Sequence, residues 1–210
     1  MAYRETEKMR QRKAEVRQRI LDCASGLVAE GGFRNAQINN VADKADVATG
    51  TVYRHFESKS ELFAEVFRRA TIREVNKVAE SLEGKDPAPD RLERALRQFA
   101  SRALQAPAMA WSLIAEPVDP LVEGERLAYR RAYADHFRAA IDDGIRDGSL
   151  PPQEAGLSAT CLVGAIAESL VGPLSPTRQN ANRAFSEQQK AELITPILTF
   201  CLQGVTGTRR

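Results

Sequence analysis

The chain has 210 residues, 43% of them apolar and 28% charged, enough to bury a core as one large domain or as a small domain fused to a larger one. No run approaches the roughly 18 to 20 consecutive apolar residues of a membrane span, and the N-terminal residues are charged where a secretion signal carries an apolar stretch, so a cytoplasmic protein without a membrane partner is expected. The formal net charge of +2 divides unevenly: residues 1–60 hold eleven Lys or Arg against eight Asp or Glu, and residues 61–210 hold nineteen against twenty.

The first helix is marked by Val16, Ile20, Ala24, Leu27 and Val28 at helical spacing, with Gly31-Gly32 as its stop. Ahead of it and along it lie Arg4, Lys8, Arg10, Arg12, Lys13, Arg17 and Arg19, a cluster able to neutralise phosphates. A solvated helix face explains the same charges equally well. Short second and third helices are expected at about Ile38 to Ala45 and Thr49 to His55, and a long fourth from Lys59 to about Leu82. Six residues from Gly84 to Pro89 break the chain. Further helices follow at Asp90 to Leu104, Met109 to Ala115, Pro120 to Arg146 and Gln153 to Val171. A loop is expected from Pro173 to Phe185, then Ser186 and Gln189 as a capping box opening a ninth helix, which Pro196 should kink. No segment alternates apolar and polar residues as a half-buried strand does. The expected fold is all-α, with about nine helices.

The segment Gln37 to Phe56 carries the functional signal. Two short helices are joined at Asp46-Val47 by a turn of helix-turn-helix length. Val41, Ala45, Val47 and Val52 are spaced to pack both against the first helix, and Ala42 is small where helices cross. Asp46 stands where the turn often needs a left-handed backbone, which Asp tolerates. The outward face of the third helix is then Thr49, Gly50, Thr51, Tyr53 and Arg54. Gly50 lets the backbone approach base edges, the threonines offer hydroxyl and methyl groups, and Tyr53, His55 and Lys59 can donate to phosphates. An ordinary helical hairpin touching no nucleic acid has the same spacing.

The residues themselves resemble the TetR family of transcriptional regulators. The likeness runs through Ile20-Leu21-Asp22-Cys23-Ala24, Leu27 to Phe33, Val41-Ala42, Ala45, Val47, Gly50 to Phe56, Ser58-Lys59 and Leu62. It implies that the third helix enters the major groove of operator DNA, with Thr49, Gly50 and Thr51 at bases and Tyr53, His55 and Lys59 at phosphates. Three positions depart from the family pattern. Gln37 replaces a threonine that caps the second helix and touches phosphate, though its amide can still reach one. Asp46 replaces a turn glycine, and Ala48 replaces the serine opening the third helix, a role Thr49 is placed to take over.

The resemblance divides the chain into a DNA-binding head, residues 1–60, and a helical ligand-binding and dimerisation body, residues 61–210. It implies a homodimer paired through the last two long helices, and candidate seam residues are Leu157, Val163, Gly164, Ala167, Leu170, Val171, Leu193, Ile197, Phe200 and Cys201. Internal core is the alternative use of these positions. For an effector pocket in the middle helices, Trp111, Ile114, Tyr129, Tyr133 and Phe137 are candidate walls, and Glu116, Arg126, Arg130 and His136 candidate polar contacts; packing or solvent exposure would explain each of them singly. The function implied is a ligand-responsive regulator, by family default a repressor, that binds a palindromic operator and is released by a small apolar or amphipathic effector such as an acyl compound.

An enzyme or a ligand carrier on a helical bundle is the competing class. Two histidines far apart and three scattered cysteines, Cys23, Cys161 and Cys201, suggest no catalytic pair, and no metal or cofactor is expected. A redox regulator working through Cys161 or Cys201 would need a thiol beside basic groups, and neither has one nearby in sequence.

Overall fold

In the computed structural model, residues 7–176 and 185–207 are described, and every regular element among them is helical. The element α1 (Glu7–Asn35) buries Ile20, Leu21, Ala24 and Val28 along one side. Gly32 adopts φ 79° inside it, a backbone that side chains with a Cβ rarely take, so the expected stop falls at this glycine and Phe33 to Asn35 complete the element beyond it. Then come α2 (Ile38–Lys44) and α3 (Thr49–His55). Asp46 between them has φ 52° and is the one non-glycine residue with positive φ among the described residues. The N–H of Val47 donates to the carbonyl of Ala42 (3.0 Å) and that of Asp46 to Asp43 (3.1 Å), so α2 ends in a Schellman turn with Asp46 in the place glycine usually fills.

The long helix α4 (Lys59–Leu82) starts at Ser58, whose hydroxyl accepts from the N–H of Glu61 at 3.0 Å. The body continues with α5 (Ala88–Gln105), α6 (Pro107–Ile114), α7 (Pro120–Asp147), α8 (Ala155–Leu174) and α9 (Glu187–Thr206). Both α5 and α6 begin earlier than expected because Pro89 and Pro107 sit in the first turn, where the missing N–H costs nothing. The capping box at Ser186 and Gln189 forms in both directions, and α9 runs on through Pro196. Of the expected loop from Pro173, the first two residues belong to α8. Residues 177–184 lie outside the described residues, as does Arg4.

Two cores share α4. Its first half places Leu62, Phe63, Val66 and Phe67 in one core with Ile20, Val28, Val41 and Val52 of the head, while its second half places Val75, Val78 and Leu82 in the body core against α5 and α7. The head core takes in Val122 of α7, and Met109 and Leu113 of α6 pack against it. Packing therefore continues past residue 60, and no hinge of polar chain separates head from body. Among the described residues α8 is long and apolar enough to cross a membrane by length and composition alone, although Ser158, Thr160, Glu168 and Ser169 interrupt it, so it holds no continuous apolar run of spanning length. It carries Glu168 and buries Ala159, Leu162, Ile166 and Leu170 in the body core.

Candidate nucleic-acid interface and effector cavity

The side of α3 that does not pack on α1 leaves Gly50, Tyr53 and Arg54 exposed and Thr49, Thr51 and His55 half-buried. Tyr53 is 49% exposed, so its ring and hydroxyl are free to meet a partner. Lys59 and Gln37 are exposed beside α3 and approach each other at 3.4 Å, and the Gln37 amide also donates to the carbonyl of Arg34 (2.8 Å). Neither α2 nor α3 has a side-chain cap. Thr49 does not take over the cap: its hydroxyl lies 3.3 Å from the Asn39 side chain, tying α3 to α2.

Two of the basic residues in α1 are structural. The Arg17 guanidinium grips Glu65 of α4 at 2.8 and 2.5 Å and lies 4.6 Å above the Phe56 ring. The pairing holds the Glu65 carboxyl below its ordinary range. Arg19 donates to the carbonyl of Ala45 (2.8 Å), at the end of α2. Lys8, Arg10, Arg12 and Lys13 are exposed. His55 has a lowered pKa because burial, then the charges of Lys13 and Arg17, disfavour its imidazolium.

A cavity of about 200 Å³ lies among α4, α5, α6, α7 and α8, walled by Phe67, Phe99, Ala103 and Leu113 among others. Ile114, Arg126, Tyr129, Arg130 and Tyr133 of the expected pocket line it. Tyr133 stacks edge-on against Phe99 at 5.4 Å, and burial pushes its phenol pKa up. Two polar features were missed in the sequence because α4 and α5 showed only their apolar stripes. Thr71, 5% exposed, is among the residues lining the cavity, and its buried hydroxyl has no hydrogen-bond partner. Arg102 pairs with Glu74 through two bonds of 2.5 and 2.7 Å across the wall.

The other four expected pocket residues are elsewhere. His136 points to solvent, and Phe137, 1% exposed, is part of the body core. Trp111 lines a separate groove of about 920 Å³ between head and body, beside Phe33, Phe63 and Lys59. Glu116 is a structural clamp. Its carboxylate accepts from the N–H groups of Phe33 and Arg34, both at 2.9 Å, and so satisfies backbone left open by the break at Gly32. Arg126, although it lines the cavity, spends its guanidinium on the carbonyls of Ser112, Leu113 and Glu116 and on the Glu123 carboxylate. Aromatic and charged residues at helical spacing give no indication of which of these uses applies.

The candidate seam also divides. Leu170, Cys201 and Val163 are 0%, 2% and 8% exposed and belong to the core of a single chain. Burial pushes the Cys201 thiol up to about 11, so it holds no ready thiolate. Leu157 and Phe200 are 63% and 69% exposed, Gly164 is exposed, and Ala167, Val171, Leu193 and Ile197 are half-buried. Among the described residues no cluster of His, Cys, Asp and Glu could hold a metal ion.

Comparison with known proteins bears on this arrangement directly. Residues 20–66, which run from the second half of α1 through the first third of α4, match the model of the bacterial regulatory proteins of the tetR family. The HTH-type transcriptional repressor KstR2 of Rhodococcus jostii (strain RHA1) is 30% identical over 141 residues, 65% of this chain and 69% of that repressor. Among solved structures, the regulator FadR of Bacillus subtilis in complex with stearoyl-CoA superimposes with a TM-score of 0.72 at 18% identity, over 89% of this chain and 98% of that one. RolR in complex with resorcinol gives 0.65 at 18%, over 90% and 89%. The likeness covers both the head and the helical body, and the chain belongs to the tetR family of bacterial transcriptional regulators.

Proposed function

We propose that the protein is a cytoplasmic transcriptional repressor that binds a roughly palindromic operator as a homodimer and is released by a small apolar or amphipathic effector. The observation that carries the reading is the exposed face of α3, with Tyr53 uncovered and Lys59 beside it, inside the segment that matches the family. Residues 1–60 serve as the DNA-binding head and residues 61–210 as the body that binds the effector and pairs two chains. Thr49, Gly50 and Thr51 meet bases. Gln37, Tyr53, Arg54, His55 and Lys59 meet phosphates or the groove edge. The cavity beside Thr71 receives the effector, and FadR and RolR, holding stearoyl-CoA and resorcinol, mark acyl and aromatic compounds as classes to test. Leu157, Gly164, Phe200 and their half-buried neighbours on α8 and α9 form the seam, the usual four-helix arrangement of such interfaces.

Release requires the effector to bind the DNA-incompetent arrangement more tightly, by about 1.4 kcal/mol for each tenfold loss of operator affinity. The test is a gel-shift of the purified protein on the DNA upstream of its own gene, repeated over a range of salt. Binding should weaken steeply as salt rises, and Lys59→Ala should lower the logarithmic slope by about one unit. Binding that is indifferent to salt and to Lys59 would remove the proposed docking.

A further inference from the structure

Thr49 and Asn39 meet across the angle between α2 and α3. The Thr49 hydroxyl donates to the carboxamide oxygen of Asn39 at 3.3 Å, the one hydrogen bond that either side chain makes among the described residues. Asn39 is exposed on α2, and Thr49 is the first residue of α3, at the end of a reading helix that meets base edges. A hydroxyl carries one proton and accepts through two lone pairs. With its proton committed to Asn39, Thr49 offers any third group only lone pairs, whereas Arg54 and Lys59 beside it bring only donors. Base edges differ in the same respect. In the major groove adenine N6 and cytosine N4 are donors, while guanine O6 and N7, adenine N7 and thymine O4 are acceptors.

We infer that Asn39 is a positioning residue for base reading: by holding the Thr49 proton it makes Thr49 an acceptor, so this position selects an exocyclic amine of adenine or cytosine. The inference rests on the DNA-binding reading above and gives one of its base contacts a chemistry. In the free protein the Thr49–Asn39 bond is exposed and competes with water. A duplex laid against α3 expels that water, and the bond strengthens in the drier surroundings. An acceptor edge opposite Thr49 then faces lone pairs with no proton between them, the costly arrangement for a covered polar group. Asn39 shapes specificity through Thr49 and needs no base contact of its own.

The test uses the full chain and a duplex that it recovers from a random pool, with binding read by fluorescence anisotropy. Thr49→Val keeps the shape of the side chain without the hydroxyl, and the base pair whose replacement it no longer discriminates is the Thr49 pair. At that pair an amine-free base, purine for adenine or pyrimidinone for cytosine, should weaken native binding about tenfold and leave Thr49→Val binding unchanged. The 7-deaza form of that pair's purine, which lacks the N7 acceptor, should change neither. Asn39→Ala frees the proton and should cut the amine preference to about threefold or less. Asn39→Asp, which can only accept, should keep the full preference while its charge lowers affinity for every duplex. Both substitutions fall on an exposed position, so the ratio of affinities reports the proton and not the stability of the head. Native binding indifferent to the amine overturns the inference, as does an Asn39→Ala protein with the full preference, an Asn39→Asp protein without it, or a 7-deaza purine that weakens only the native protein. A Thr49→Val protein that discriminates every pair as the native one does overturns it too, with operator binding intact. Recovery of no duplex at all would overturn the DNA-binding reading, and the inference with it.

Discussion

His55 shows how much one side chain can report. It sits half-buried at the end of α3, and burial, then Lys13 and Arg17, lower its pKa from 6.5. Folding therefore favours the neutral ring. Its contribution to stability is complete above the unfolded value and is lost as pH falls through the lower folded value. A phosphate beside it acts in the opposite sense, because it favours the imidazolium. Operator affinity should thus rise as pH falls from about 7.5 to about 5.5, and His55→Gln should flatten that profile in fluorescence anisotropy; an unaltered profile would place His55 away from DNA. Thr71 makes a separate case. Its unpartnered hydroxyl is a cost to the empty protein, so Thr71→Val, nearly equal in shape, should stabilise the ligand-free protein by about 1 kcal/mol in urea unfolding. A loss of stability would show that the hydroxyl has a partner in solution.

At the scale of elements, the junction of head and body depends on the loop after α6. Glu116 holds two N–H groups next to the break at Gly32, and its own carbonyl accepts from Arg126 at 2.7 Å, the guanidinium that closes the end of α6. Gly32 is packed so tightly against this carboxylate that a Cβ would come within 2.7 Å of it. Glu116→Ala leaves two buried or half-buried donors unsatisfied and should cost about 2 to 4 kcal/mol. Glu116→Gln, which keeps one acceptor oxygen, should cost about half as much. Thermal unfolding of the three proteins would order them native, Gln, Ala, and equal stability of all three would show that water replaces the carboxylate freely. Asp46 and Ser58 illustrate the opposite situation, in which a local residue does what its type allows: one takes the left-handed turn and the other caps α4.

For the whole molecule, α4 runs unbroken from the head core to the body core, so the two move as packed neighbours rather than as beads on a linker. In the proposed dimer, pairing would draw on exposed apolar residues, and Phe200→Glu and Leu157→Glu should then yield folded monomers in sedimentation with weakened operator binding, because each would place a charge in the proposed seam. Folded dimers in both variants would put the interface elsewhere. Leu170→Glu is a different experiment: it buries a charge inside one chain and should unfold it. The sequence by itself determined the nine helices among the described residues, the turn at Asp46 and the composition of the α3 face, since caps, breakers and apolar spacing act within a few residues of one another. Only the tertiary structure decided which of the many arginines and aromatics face the cavity, that Glu116 clamps the head, and that Leu170 and Cys201 are core while Phe200 is surface. Helical periodicity states that a residue has a neighbour on one face, and packing between segments far apart in the chain selects which neighbour that is.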